Sequence, residues 1–273
     1  MKKTSSWQKN LYENRGLPDN YTDQSFLEEL RKNIKPNNIT IFQAISLGAS
    51  VSIELSIVAL FVIIFIWLNN EWTTPKIIFI SSSFFTVVGY FLHTLQISNL
   101  SERLSKDIRT ALIFFAFGYI LSPILKTLTE AISTDTIYAM TIFMFSIHLI
   151  FGKYGSPQIS LSDSLSITSS IFGSLMLASR LTTYLHAFAL LTVAVQCFVL
   201  LPFLLTKTKD NIAISIILIL ITQYFFFQIS LTMFYVYVGA TILIHFICPL
   251  WYIRWQKYKE NIYGPWDEAA IPS

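Results

Sequence analysis

Between two apolar runs, residues 122–138 bring together groups able to move protons or hold a ligand. Ser122-Pro123-Ile124-Leu125-Lys126-Thr127-Leu128-Thr129-Glu130-Ala131-Ile132-Ser133-Thr134-Asp135-Thr136-Ile137-Tyr138 contains a proline, a lysine, two acids and six serine or threonine hydroxyls. Lys126 and Glu130 are four residues apart, the spacing of an ion pair on one helix face, although lysine-first is the weaker orientation. Ser133-Thr134-Asp135 has the chemistry of an N-cap. Pro123 lacks an N–H, which predicts a kink or break. Polar atoms at bilayer depth are costly unless partnered. These groups therefore satisfy one another as a polar turn, hold a lipid or other ligand, meet another protein chain, or carry intramembrane acid–base chemistry through Lys126, Glu130 and Asp135. With Arg180 and His186 they form a candidate polar lock or partner or lipid contact.

Other chemistry-bearing residues are isolated. Glu54 stands in an apolar run, facing the bundle or protonated there. His93, His148, His186 and His245 fall in different segments without ligand spacing, and a structural hydrogen bond is the plainer role for each. Cys197 and Cys248 lie in apolar runs and read as small packing residues. No metal site or cofactor is expected. The sequence contains no Walker loop, dinucleotide glycine fingerprint, H-E-x-x-H, G-x-S-x-G, C-x-x-C or D-x-D. Its longest polar segment, about 40 residues, is too short for a nucleotide-binding α/β domain, which needs roughly 100 or more. Nothing points to a nucleic-acid partner.

The elements that must position these residues are membrane spans. Of 273 residues 53% are hydrophobic and 13% charged, against about 25% charged in a soluble domain. The pattern predicts an all-α polytopic membrane protein with eight transmembrane helices: a polar arm over 1–40, a bundle over 41–253 and a tail over 254–273. The first six spans are expected near 44–68, 76–97, 111–125, 137–151, 159–179 and 184–205. From Asn211 to Ile253 no charged side chain other than His245 occurs. One helix of that length would measure about 65 Å, more than twice a ~30 Å hydrocarbon core. It must fold as two spans, with the hairpin near Gln228-Ile229-Ser230. In the fifth span Ser162, Ser166, Ser170, Ser174 and Ala178 recur every four residues, a spacing that lets helices approach closely inside a bundle. A polar substrate path is the alternative.

The arm is expected to carry a short amphipathic helix over 23–33, with Phe26, Leu27 and Leu30 on one face. The tail returns to polar sequence at Arg254, behind an aromatic belt of Trp251, Tyr252, Trp255 and Tyr258. Trp266 needs cover from the arm, where Trp7 and Tyr12 need it too, or from a partner. With eight spans, sixteen of the nineteen lysines and arginines fall on the side of the two termini, so both termini are expected in the cytosol. The sequons at Asn20, Asn38 and Asn99 fall on that side and are expected to remain unglycosylated. The first lumenal loop, about 69–75, is too short for the acidic active site that multi-span glycosyltransferases place in lumenal loops.

Several long motifs resemble the PIG-C family of phosphatidylinositol N-acetylglucosaminyltransferase subunits. In the arm these are Trp7-Gln8-Lys9, Leu11-Tyr12-Glu13, Pro18-Asp19-Asn20-Tyr21 and Phe26-Leu27-Glu28-Glu29-Leu30-Arg31-Lys32-Asn33. In the body they are Ser122-Pro123, Leu125 to Glu130, Ser133 to Met140, Leu177-Ala178-Ser179-Arg180-Leu181 and Leu185-His186-Ala187-Phe188. The tail adds Lys259-Glu260-Asn261-Ile262 and Gly264-Pro265-Trp266-Asp267-Glu268-Ala269. The matches run in order along nearly the whole chain, while the seventh and eighth spans match in character only. The resemblance implies a multi-pass endoplasmic reticulum member of the complex that transfers GlcNAc from UDP-GlcNAc to phosphatidylinositol, the first step of GPI-anchor synthesis. It implies that the transferase fold belongs to PIG-A, with PIG-H, PIG-P, PIG-Q and PIG-Y as further partners and phosphatidylinositol as a possible lipid ligand. It supplies no catalytic residue. The expected role is a non-catalytic membrane subunit with cytosolic docking through Trp7, Tyr12, Phe26, Leu30, Trp266 and Asp267. The rivals are an intramembrane enzyme and a lipid transporter or flippase acting through residues 122–138.

Overall fold

The computed structural model describes residues 31–32, 39–94, 109–110, 112–113, 115–120, 122–124, 132–152, 154, 161–205, 211–256, 258 and 262–263. It divides into two compact units, Ile41–Leu250 and a second formed by Met1–Thr40 with Trp251–Ser273.

The larger unit is a bundle of apolar helices. Among the described residues five helices are long and apolar enough to cross a membrane: α1 (Ile41–Asn69), α4 (Thr134–Phe151), α6 (Tyr184–Leu205), α7 (Asn211–Ile229) and α8 (Leu231–Gln256). Three are shorter in their apolar extent: α2 (Pro75–Thr94), α3 (Phe115–Ile124) and α5 (Leu161–Ala178). Ser230, in extended conformation, separates α7 from α8 and makes the hairpin that the 43-residue uncharged run requires.

α1 is the central helix, apolar on all its faces apart from Glu54 and a few serines. A helix of that kind is stable only when surrounded. It shares one core, with Ile57 and Phe61, with Phe145 of α4, Leu177 of α5 and Leu190 and Phe198 of α6. Its Ala59 and Ile63 form a second core with Phe226 of α7 and Tyr237 of α8. In α5 Ser166, Ser170, Ser174 and Ala178 are all buried. Gly173 in the same helix lets Phe145 approach to where a Cβ would lie 3.2 Å from its ring. The polarity of α5 is largely self-contained. Ser169, Ser170 and Ser174 donate to the carbonyls of Ser166, Ile167 and Ser170 in their own helix.

Two helices widen into a π-turn, at Gln196–Leu200 in α6 and Leu243–Ile247 in α8. Each turn ends two residues before a proline, Pro202 and Pro249. Proline has no N–H to give the carbonyl four residues back, and its ring crowds that carbonyl. The chain relaxes by inserting one wide turn. Leu201 N–H reaches back to Gln196 O and Cys248 N–H to Leu243 O, each five residues away. Both prolines were visible in the sequence, but which backbone adjustment they would force was not.

In the second unit Arg31–Lys32 (β1) pairs antiparallel with Ile262–Tyr263 (β2), Arg31 opposite Tyr263 and Lys32 opposite Ile262. The amphipathic helix expected over 23–33 therefore does not extend to Arg31 and Lys32. Their backbone groups find partners in the tail instead of in a helical turn. Residues 23–30 lie outside the described residues. Trp251, Trp255 and Tyr258 of this unit meet edge to face in sequence.

Candidate functional site

The polar stretch at 122–138 is described only at its two ends. Lys126 and Glu130 lie outside the described residues, as do Trp7, Tyr12, Phe26, Leu30, Trp266 and Asp267. Ser122 is buried and its hydroxyl donates to Tyr184 O at 2.7 Å, tying α3 to the start of α6. Ser133 caps α4, its hydroxyl accepting from Thr136 N–H at 3.3 Å. Asp135 is exposed in the first helical turn, where the helix dipole favours an acid. Arg180 Nη2 donates to Ile132 O at 2.9 Å, joining the α5–α6 turn to the residue just before the α4 cap. His186 sits in the first turn of α6, its backbone N–H and ring Nδ1 both at the hydroxyl of the capping Thr183. Side chains here mostly bind backbone carbonyls and caps at one end of the bundle. Arg180→Met and Ser133→Ala are each expected to lower stability by about 1 kcal/mol in thermal unfolding of the detergent-solubilised chain. Unchanged midpoints for both would show that these bonds hold nothing.

A second constellation lies at the opposite end of α4 and was not assembled from the sequence. His148 is three residues from the end of α4, and Ser166 is in the second turn of α5. Glu54 reaches them from the middle of α1. His148 is buried, and its Nε2 stands 3.6 Å from Glu54 Oε2. Neither atom has a hydrogen-bond partner among the described residues. On the other side of the ring, Nδ1 lies 3.0 Å from Ser166 O and 2.8 Å from Ser166 Oγ. Ser166 Oγ donates to His148 O at 3.0 Å. Phe198, carried by the α6 π-turn, packs edge-on against the imidazole at 5.2 Å. Tyr154, just beyond α4, donates its hydroxyl to Leu149 O. Burial first, then the charge of Glu54, pushes that hydroxyl well above its usual ionisation range, so it remains a neutral donor.

Ser166 Oγ carries one hydrogen and stands within reach of both His148 O (3.0 Å) and Nδ1 (2.8 Å), while Ser166 O can only accept from Nδ1, so the ring's tautomer decides which of these contacts are hydrogen bonds. Nε2 faces Glu54 Oε2 at 3.6 Å, beyond hydrogen-bond reach. Ser166, His148 and Glu54 have the residue types of a hydrolytic triad, but the roles do not follow. Glu54 stands outside hydrogen-bond distance of the ring, and Ser166 Oγ has a backbone carbonyl, His148 O, as a competing acceptor. The arrangement brings α1, α4 and α5 together around one buried imidazole.

The opposite face of α1 carries a matching hydroxyl network. Ser52 and Ser56 are one turn apart, and each lies about 200° around the helix from Glu54. Ser52 Oγ lies 3.0 Å from His245 Nδ1, and Ser215 Oγ of α7 lies 3.3 Å from His245 Nε2. Ser56 Oγ lies 2.7 Å from the hydroxyl of Tyr237 on α8. His245 belongs to the α8 π-turn. Both imidazoles are thus served by a π-turn, His148 through Phe198 and His245 directly. Among the described residues no cluster of three or more His, Cys, Asp or Glu side chains is placed to hold a metal. The sequence did signal that Glu54 needed a partner, since a carboxyl in an apolar span is costly alone. It did not show which histidine supplied one.

Comparisons with known proteins bear on the whole chain. The family described as phosphatidylinositol N-acetylglucosaminyltransferase (GPI2) matches residues 7–267. The C-type subunit of phosphatidylinositol N-acetylglucosaminyltransferase from Mus musculus is 40% identical over 275 residues, covering 97% of this chain and 93% of that protein. The protein of the same name from Homo sapiens is 38% identical, covering 98% and 94%. The GPI2 subunit of Saccharomyces cerevisiae is 26% identical, covering 96% of both. No solved structure matches the chain. With a family match running from the arm to the tail, and relatives of near-equal length at up to 40% identity, this chain belongs to the GPI2 family of phosphatidylinositol N-acetylglucosaminyltransferase subunits.

Proposed function

We propose that this chain is a non-catalytic membrane subunit of the complex that transfers GlcNAc from UDP-GlcNAc to phosphatidylinositol, the first step of GPI-anchor synthesis. The observation that carries this reading is the match over residues 7–267 on a chain whose body is a bundle of apolar helices. The transferase fold belongs to another subunit, PIG-A, with PIG-H, PIG-P, PIG-Q and PIG-Y as further partners. The chain resides in the endoplasmic reticulum membrane as a cytosolic arm over 1–40, an eight-span bundle over 41–253 and a cytosolic tail over 254–273. Support for the shared side of the termini comes from the charge asymmetry and from the pairing of Arg31–Lys32 with Ile262–Tyr263. Segments that form one ladder lie on one side of the bilayer, so an even number of crossings separates them. The polar set Lys126, Glu130, Asp135, Arg180 and His186 acts as a lock or partner contact. Trp7, Tyr12, Phe26, Leu30, Trp266 and Asp267 serve cytosolic docking.

Purified alone, the chain should form no GlcNAc-phosphatidylinositol from UDP-GlcNAc and phosphatidylinositol vesicles, while the complex affinity-purified through it in mild detergent should. Robust turnover by the isolated chain would end the reading. A mobility shift on glycosidase treatment, traced to Asn20, Asn38 or Asn99, would overturn the sidedness. The transporter alternative loses its main motive, because α5's buried hydroxyls are occupied by backbone carbonyls.

A further inference from the structure

α8 ends in a stripe of aromatic and basic side chains. Trp251, Arg254 and Trp255 fall within about 100° of arc on the helix. Tyr258 extends the stripe, its N–H donating to Trp255 O at 3.0 Å just past the helix end. The rings lie edge to face, Trp251 to Trp255 at 6.4 Å and Trp255 to Tyr258 at 6.2 Å. All four side chains are exposed, Trp251 and Trp255 at 61% and Tyr258 at 77%.

Two indoles and a phenol are costly to leave in water, and their N–H and O–H groups are costly to leave in hydrocarbon. The layer that suits both halves of these side chains is the headgroup region of a bilayer. The position of the stripe agrees. Arg254 is the first lysine or arginine after Lys209, so the stripe lies where the last apolar run gives way to charge. Charge then selects what is met in that layer. From Trp251 to Lys259 there are three basic side chains, Arg254, Lys257 and Lys259, and no acidic one. The two lysines lie outside the described residues. This one-signed segment complements a phospholipid that carries net negative charge. A guanidinium held between two indoles is suited to a phosphate, which it can grip through paired N–H donors.

We infer that the stripe Trp251, Arg254, Trp255 and Tyr258 is a binding surface for anionic phospholipid of the surrounding leaflet, with the rings seated between headgroup and acyl chain and Arg254 on the headgroup phosphate. The occupant is a lipid of the bilayer, neither a companion chain nor the acceptor lipid of the transfer reaction. The inference goes beyond the subunit reading and does not depend on it, because it rests on the stripe and on the end of the apolar run.

The test places the full-length chain in phosphatidylcholine nanodiscs. A minor fraction of the lipid is brominated on the upper acyl chain, supplied as either phosphatidylcholine or phosphatidylserine. Bromine quenches an indole on contact. The signal of Trp251 and Trp255 is obtained by difference from the double variant Trp251→Phe/Trp255→Phe, or from the two single variants should the double one misfold. Both brominated lipids should quench this signal, phosphatidylserine about fivefold more effectively at equal mole fraction. Arg254→Gln should leave quenching by phosphatidylcholine and the thermal unfolding midpoint unchanged while removing most of the preference. The same pattern should hold in the complex purified with its companions. Absence of quenching by either lipid overturns the proposal, and so does equal quenching by both. A preference undiminished in Arg254→Gln overturns the role of the guanidinium. Protection of the two indoles once companions are bound would show that protein covers the stripe. A preference for brominated phosphatidylinositol that phosphatidylserine does not share would make it an acceptor site, and the leaflet reading would fall.

Discussion

Replacing His148 with alanine is expected to destabilise the chain by roughly 3–5 kcal/mol, the range for deleting a large buried ring. Three losses add up. The ring's edge contact with Phe198 disappears and leaves a void beside Phe145 and Phe61. Ser166 loses its contacts with the ring's Nδ1. Glu54 Oε2, already buried, loses the imidazole that faces it. The Glu54 series separates these contributions. Glu54→Gln keeps a polar group of the same shape facing Nε2 and should stay within about 1 kcal/mol of the native chain. Glu54→Leu strands Nε2 in an apolar pocket and should cost about 2 kcal/mol. Thermal unfolding of the detergent-solubilised chain reads all three. If His148→Ala melts with the native protein, the cluster is not holding α1, α4 and α5 together. Transferase activity of the assembled complex should fall only as far as the amount of folded chain falls. A variant that assembles fully yet turns over nothing would give Glu54 or His148 a chemical role that the geometry does not.

Gly48→Leu should be nearly as damaging, for the opposite reason. A Cβ at Gly48 would stand 2.9 Å from Ile244 O and 3.5 Å from Pro249 Cγ. The first of these is backbone, in a helix held in register by a π-turn, and it cannot turn aside as a side-chain tip can. Alanine there should cost about 2 kcal/mol and leucine about 3 or more, as α8 is pushed off α1. The hydrogen bonds next to it then go too: Ser52 to His245 at 3.0 Å and Ser215 to His245 at 3.3 Å. Gly239→Ala is the internal control, since it makes the same substitution in a helix of the same bundle with nothing to strike. If Gly48→Ala and Gly239→Ala melt alike, the close approach of α1 and α8 does not constrain the fold.

The elements of this protein were legible in the sequence because they are local. A long apolar run without charge reads as a helix able to cross a membrane, since no other single-segment backbone conformation satisfies its own polar groups in lipid. The uncharged run after Asn211 was too long for one span, and the break came at Ser230. Ser133 was legible as a cap because the hydroxyl and the N–H it serves are only three residues apart. The regular spacing of serines in the fifth span marked a buried face before any neighbour was known.

Tertiary structure alone decided which faces meet. In a soluble bundle an apolar stripe points to the core. In a membrane bundle lipid-facing and core-facing sides are equally apolar, so the sequence of α1 does not say that Glu54 turns toward α4 while Ser52 and Ser56 turn toward α8. Ser52 and His245 are 193 positions apart, and no local pattern links them. The same holds for Arg31–Lys32, whose local amphipathic pattern suggested a helix until a strand from the tail offered partners. The polar groups of residues 122–138 are conspicuous because they are adjacent in sequence. The buried pair that the fold builds, Glu54 facing His148, joins residues that each looked solitary, because burying one such group requires bringing it another.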